Sequence, residues 1–185
     1  SAISNGAKIV VTEKKINGLK NGILFIHSNN IRKLLAEISF KINNKIPNNI
    51  IAVTGTNGKS SISDFYYQIL DLNNKKVASI GTLGVKSKKY KKNLLNTTID
   101  PIQLSRILSN LKKQNINNVI MEASSHGLSQ NRLDGLSFNT GIFFPPMPCV
   151  RQIEAPETSV HFSSKVNVDN MFSRSISCDG CCCLF

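Results

Sequence analysis

The sequence has no tryptophan, and aromatic residues make up only 6% of its 185 positions. Aromatic side chains interleaved with cations form the stacking platforms that hold single-stranded nucleic acid, so this shortage argues against such a platform. Acidic residues are also scarce. Only 11 Asp and Glu stand against 23 Lys and Arg, a net charge of +12 and a pI near 9.7. No apolar run is long enough to span a bilayer. The start, Ser1-Ala2-Ile3-Ser4-Asn5-Gly6, lacks the basic-then-apolar layout of a signal peptide. A cytoplasmic location without membrane insertion is the expectation. Cysteine is missing from the first 148 residues; all five lie late, at Cys149, Cys178, Cys181, Cys182 and Cys183.

What is present suits a packed domain: 41% hydrophobic and 18% charged residues, with a mean hydropathy of -0.10. Lys, Asn and Ile are abundant along most of the chain. The densest basic cluster is Lys86, Lys88, Lys89, Lys91 and Lys92 around Tyr90. A short lysine run reads as a solvated loop in preference to a nucleic-acid patch, and nucleic acid is not an expected partner. A non-catalytic basic module that binds nucleotide or nucleic acid stays as an alternative.

Lys8–Val11 and Gly22–His27 read as short buried strands. Ser28 is a candidate cap for a helix with Ile31, Leu34, Leu35 and Ile38 on one face. The polar stretch from Asn43 to Asn49, with Pro47, reads as a linker. Ile50–Thr54 is a β-branched run of the kind found in a central parallel strand. A helix from Lys59 follows, with Ile62, Phe65, Tyr66, Ile69 and Leu70 on one face and Asn73-Asn74 at its end. Val77–Ile80 is the next strand, and Gly84 to Asn96 a loop or hairpin. Asp100-Pro101 pairs a cap with a first-turn proline, and the helix it opens buries Leu104, Ile107, Leu108 and Leu111. Val119–Met121 and Thr140–Phe144 complete the strands. This alternation predicts an α/β fold with an open parallel sheet.

Gly55-Thr56-Asn57-Gly58-Lys59-Ser60 lies between a predicted strand and a predicted helix, the context a phosphate-binding loop requires. Glycines let backbone N–H groups approach phosphate oxygens, and the helix N-terminus adds unpaired donors. Lys59 can neutralise the β- and γ-phosphates, and the Ser60 hydroxyl can ligate Mg²⁺. The full GxxxxGK[ST] pattern fails at its first glycine, where Val53 stands. Glu122 closes the strand Val119–Met121. Ligands gather at the carboxyl ends of strands in open α/β sheets, so Glu122 is a candidate second ligand of the same metal. His126 has two readings, as a satisfied polar residue or as part of a helix start.

The loop Thr54-Gly55-Thr56-Asn57-Gly58-Lys59-Ser60-Ser61 resembles the ATP loop of the Mur ligases. Gly81-Thr82-Leu83-Gly84, Asn96-Thr97-Thr98 and Met121-Glu122-Ala123-Ser124-Ser125-His126-Gly127-Leu128 follow in the family's order. Gln130, Arg132 and Phe138–Phe143 come next. Asn-Thr-Thr paired with Ser-Ser-His-Gly-Leu-x-Gln-x-Arg is similar to the branch that adds the third peptide residue to the peptidoglycan precursor. The ATP loop alone leaves folylpolyglutamate and cyanophycin synthetases as alternatives.

The resemblance implies ATP-dependent amide ligation through an acyl phosphate, with ATP and Mg²⁺ as cofactors. The implied substrates are UDP-N-acetylmuramoyl-L-alanyl-D-glutamate and a diamino acid. It implies that Gly55, Thr56, Asn57, Gly58, Lys59, Ser60 and Ser61 hold ATP, with Lys59 and Glu122 catalytic. Ser60 and Glu122 would hold the metal. Asn96, Thr97, Thr98, Ser124, Gln130 and Arg132 would bind the UDP-linked substrate. It also implies domains: 1–44 as the end of a UDP-binding domain, 45–49 as linker, and 50–144 as part of the central ATP-binding domain.

Beyond Phe143 the family continues with Thr-Asn-Leu, a histidine segment and a modified lysine. This chain reads Phe144-Pro145-Pro146-Met147-Pro148-Cys149. Four of the six prolines and all the cysteines fall from Pro145 onward. The expectation for 145–185 is a non-matching tail, frameshifted or disordered, and for the chain an inactive fragment. Zinc ligation by Cys178, Cys181, Cys182 and Cys183 is the rival reading, weakened because zinc sites draw on separated ligand pairs.

Overall fold

The computed structural model describes residues 2–88, 90–92 and 98–144, together with the backbone of 161–166. A small sheet comes first, from β1 (Ile9–Thr12), β2 (Gly18–Lys20) and β3 (Ile23–His27) in the order β1-β3-β2. It is followed by α1 (Ile31–Ile42). The main sheet takes β4 (Asn49–Gly55), β5 (Val77–Gly81), β6 (Gly84–Ser87), β7 (Lys91–Lys92), β8 (Asn118–Glu122), β9 (Phe138–Phe144) and β10 (His161–Val166). Helices α2 (Lys59–Leu72), α3 (Pro101–Lys113) and α4 (Ser125–Ser129) connect them.

The main sheet runs β10-β9-β4-β8-β5-β6-β7. Its four central strands are parallel, as the sequence predicts, while β6, β7 and β10 add antiparallel edges. From β4 the chain crosses over β8's place to β5; from β8 it crosses over β4 to β9. Neighbouring β4 and β8 thus send their connections in opposite directions. Their carboxyl ends flank a topological switch point, the place where such sheets bind ligands.

The period-two alternation of strands divides the core. Ile50, Ala52, Val119 and Met121 face one side, where Leu104, Leu108 and Leu111 of α3 and Ala36 and Phe40 of α1 join a single cluster. Val53, Ile120 and Ile142 face the other, with Ile62 and Tyr66 of α2. The predicted apolar face of α3 is fully borne out, and Asp100 caps it by accepting from the Gln103 N–H at 3.0 Å.

Four local expectations are corrected. The first two strands are not buried: Ile9 is 60% exposed, and Leu24 and Ile26 point outward because the small sheet is open on one face. The cap of α1 is Asn30, not Ser28, since its side chain accepts from the Lys33 N–H at 2.9 Å. The apolar faces read for α1 and α2 both split. Leu35 and Ile38 are exposed while Ala36, Ser39 and Phe40 are buried; Phe65 and Ile69 are exposed while Ser63 and Tyr67 are buried. A helix turned by one position selects a neighbouring stripe, and tertiary contact decides which. Finally, the expected hairpin is found as β6 and β7 with Lys91 and Lys92 exposed, but Lys86 and Lys88 are not free. Lys86 bonds Asp64 at 2.7 Å and lies over the Tyr67 ring at 4.6 Å, and Lys88 pairs with Asp71 at 3.0 Å.

The polar stretch before β4 is also packed. Pro47 is buried, Ile46 rests on the main core, and the Asn43 side-chain amide donates to the Ser105 hydroxyl at 3.0 Å. Beyond Phe144, the backbone of β10 pairs antiparallel with β9.

Leu104→Ala removes a fully buried side chain and should cost roughly 2–5 kcal/mol in urea unfolding, whereas Phe65→Ser should stay within about 0.5 kcal/mol. The Lys86 hydrogen bond, with a smaller contribution from Gln68, holds the Asp64 carboxyl below its ordinary 3.8. A depressed carboxylate stabilises the fold above its unfolded pKa and loses that contribution as pH falls through the folded value. Lys86→Ala should therefore flatten the loss of stability on acidification below about pH 5, measured by urea midpoints across the acid limb.

Candidate functional site

Gly55 ends β4 with φ +141, and Gly58 precedes α2 with φ +79. Both values belong to glycine. A side chain at position 55 would also run into the Phe144 carbonyl, because β9 pairs with the loop at that point. The ring of Phe144 stands beside Gly58. The loop is thus shaped from below by the last residue of β9. The N–H groups of Lys59, Ser60 and Ser61 open α2 ahead of its first i to i−4 bond, from Ile62 to Gly58, and have no backbone acceptor among the described residues. Lys59 Nζ donates to the carbonyls of Gly55 at 2.6 Å and Thr56 at 3.0 Å and has no carboxylate partner among the described residues.

Glu122 stands in register with Val53, at the ends of β8 and β4. It is 2% exposed. The Ser60 hydroxyl donates to its Oε2 at 3.1 Å, so the two expected metal ligands meet across the switch point. The Thr82 N–H donates to Oε1 and the Thr82 hydroxyl to Oε2, each at 3.0 Å. Ser60, Ser63, Asp64, Ser79 and Glu122 line a recess of about 210 Å³ including its open mouth. Among the described residues, Ser63 Oγ is buried there without a partner. An all-oxygen donor set, a buried carboxylate facing only neutral donors and an orphaned hydroxyl fit a hard divalent cation such as Mg²⁺.

A second polar cluster lies beside it. Ser124 caps α4, accepting from the Gly127 N–H at 3.1 Å, and its hydroxyl meets that of Thr98 at 3.0 Å. Thr98 also receives the Ser124 N–H and donates to the Glu122 carbonyl, tying the two clusters together. Arg132 donates from Nη1 to the Thr98 carbonyl and from Nε and Nη2 to Gln130 Oε1, at 2.9 and 2.6 Å. Thr98, Ser124, Gln130 and Arg132 are therefore brought together as the resemblance implies. Asn96 and Thr97 lie outside the described residues, as do the cysteines. Two participants, Thr82 and His126, carry no expected role from the sequence. For Thr82 the only signal was its place in the Gly81-Thr82-Leu83-Gly84 segment.

This is a P-loop α/β domain in which a glycine-rich loop and a buried carboxylate meet at the switch point of the sheet. Residues 53–144 match the Mur ligase middle domain. A UDP-N-acetylmuramoyl-L-alanyl-D-glutamate–2,6-diaminopimelate ligase of Wigglesworthia glossinidia brevipalpis is 40% identical over 151 residues, covering 77% of this chain and 30% of its own length. Its namesake in Rickettsia montanensis is 39% identical over 147 residues, with the same coverage. A solved structure of a ligase of that name superposes with a TM-score of 0.66 at 29% identity, covering 85% of this chain and 32% of the other. The chain belongs to the Mur ligase family. It spans about 30% of the length of the curated relatives it matches.

The hydrogen-bond directions fix one tautomer. Gln130 Oε1 is occupied by Arg132, so its amide NH₂ faces His126 Nε2 at 2.8 Å and that nitrogen must accept. Nitrogen NMR of the imidazole should find the His126 proton on Nδ1, and Gln130→Ala should abolish this preference.

Proposed function

We propose that this chain carries the ATP site and part of the first-substrate site of a peptidoglycan-precursor ligase. The reaction joins 2,6-diaminopimelate to UDP-N-acetylmuramoyl-L-alanyl-D-glutamate in the cytoplasm. The observation that carries the reading is the meeting of Ser60 and Glu122 beside the Gly55–Ser61 loop. The names of the similar ligases support the substrates and the diamino acid.

In this reading the free N–H groups at the start of α2 hold the phosphates, and Lys59 leaves its two carbonyls to neutralise charge on the transferring γ-phosphoryl group. Ser60 and Glu122 would hold Mg²⁺, which would supply further charge neutralisation. A D-glutamyl carboxylate oxygen bonds to the γ-phosphorus as the bond to ADP breaks, giving an acyl phosphate. The amine then attacks the carbonyl carbon, phosphate leaves with the bonding electrons, and the ammonium loses a proton. Arg132 keeps two of its five N–H groups beyond the described contacts, and these suit an anionic substrate. Its anchorage on Thr98 and Gln130 orients that fork before substrate arrives. Thr98, Ser124 and Gln130 complete the polar surface, with Asn96 and Thr97 assigned by resemblance.

Calorimetric titration of the chain with ATP and Mg²⁺ tests the nucleotide half. Lys59→Ala should weaken binding about 10- to 100-fold, the worth of one charge-assisted bond to phosphate. Equal affinity in the variant overturns the assignment of the loop.

A further inference from the structure

Glu122 presents four acceptor positions on two carboxylate oxygens. Three are occupied among the described residues, and Thr82 supplies two of those three donors. Gly81 supplies the room. A side chain there would overlap the Glu122 carboxyl group itself, with Oε1, Cδ and Cγ all inside the contact limit. The hairpin geometry explains the arrangement. Gly81 pairs with Gly84 across the β5–β6 turn, and Gly84 adopts φ +89. The two-residue turn of Thr82 and Leu83 therefore folds tightly, and both the Thr82 N–H and its hydroxyl reach back to one carboxylate. Leu83, its neighbour in the turn, is 71% exposed and takes no part.

Every described donor to Glu122 is neutral, and Glu122 is in no ion pair among the described residues. A carboxylate buried to this degree without a counter-charge is costly, and the cost is relieved when a cation arrives. For that relief the carboxylate must face Ser60 and the phosphate loop beforehand. A free glutamate side chain has three rotatable bonds to lose on fixing this direction. Thr82 fixes it in advance, from the turn between β5 and β6.

We propose that Thr82, with Gly81 as its spacer, is a positioning residue that sets the Mg²⁺ affinity of the Ser60–Glu122 site by holding the Glu122 carboxylate. This rests on the nucleotide reading above. It separates two contributions that a single affinity would merge: phosphate capture by the loop and cation capture by the carboxylate. Orienting partners of metal ligands typically contribute 10- to 100-fold to metal affinity.

The test uses the whole chain and the β,γ-imido analogue of ATP, which is not hydrolysed. Analogue binding is followed by calorimetry, first in EDTA and then across a Mg²⁺ titration. Thr82→Val keeps the shape and the backbone N–H but removes the hydroxyl. It should raise the Mg²⁺ concentration at half-effect by about 10- to 100-fold while leaving affinity in EDTA unchanged. Thr82→Ser should restore the wild-type midpoint. Gly81→Ala, which displaces the carboxylate from the other side, should reproduce the Val phenotype. Thermal melting of each variant separates misfolding from weakened cation binding. If Thr82→Val melts as wild type and keeps the wild-type Mg²⁺ midpoint, the proposal is overturned. If Val fails to fold, the Ser variant decides: a melting temperature like wild type with a displaced midpoint overturns it. If the wild-type chain binds no analogue with or without Mg²⁺, the nucleotide reading itself falls and takes this proposal with it.

Discussion

The structure turns on a buried carboxylate. Glu122 sits almost without solvent at the end of a central strand, held by a serine from the phosphate loop and a threonine from a neighbouring hairpin. Two segments, 62 and 40 residues away in sequence, converge on its two oxygens. Each must arrive in register, because a one-residue slip in a strand turns the side chain to the opposite face. The pairing of Val53 with Glu122 is the register that matters. Apolar contacts on both faces of β4 and β8 hold it.

The second cluster depends on the first through backbone. Thr98 donates to the carbonyl of Glu122 and receives the N–H of Ser124, so the residue that carries the carboxylate also anchors the polar patch beside it. Gly127 permits this closeness, since a side chain there would overlap Thr98. From Thr98 the network passes to Arg132, Gln130 and His126. The buried carboxylate and the polar patch are thus two ends of one hydrogen-bonded assembly.

Much of this was legible in the residues. The β-branched run before Gly55, the Gly-Lys-Ser turn and the amphipathic pattern after Asp100-Pro101 each have one strong local reading, and each is found. The misreadings share one physical cause. Helices α1 and α2 carry apolar residues on more than one stripe, and local pattern cannot say which stripe meets a partner. For α2, Ile62 and Tyr66 meet the sheet while Phe65, Ile69 and Leu72 stay outside. Lys86 and Lys88 misled in the same way, because their partners Asp64 and Asp71 lie on a helix two elements earlier.

The sequence by itself determined the glycine turn between strand and helix, the parallel α/β plan, the family, and Ser60 and Glu122 as the pair to watch. These rest on short-range chemistry: turn glycines, caps, strand periodicity and residues adjacent in a motif. Only the tertiary structure decided that Thr82 and Gly81 cradle Glu122, that Phe144 shapes the loop from beneath, and that Gln130 orients both Arg132 and His126. Those contacts join positions between 2 and 89 residues apart. Their geometry follows from strand order and crossover direction, which the packing of the whole sheet sets and no local pattern encodes.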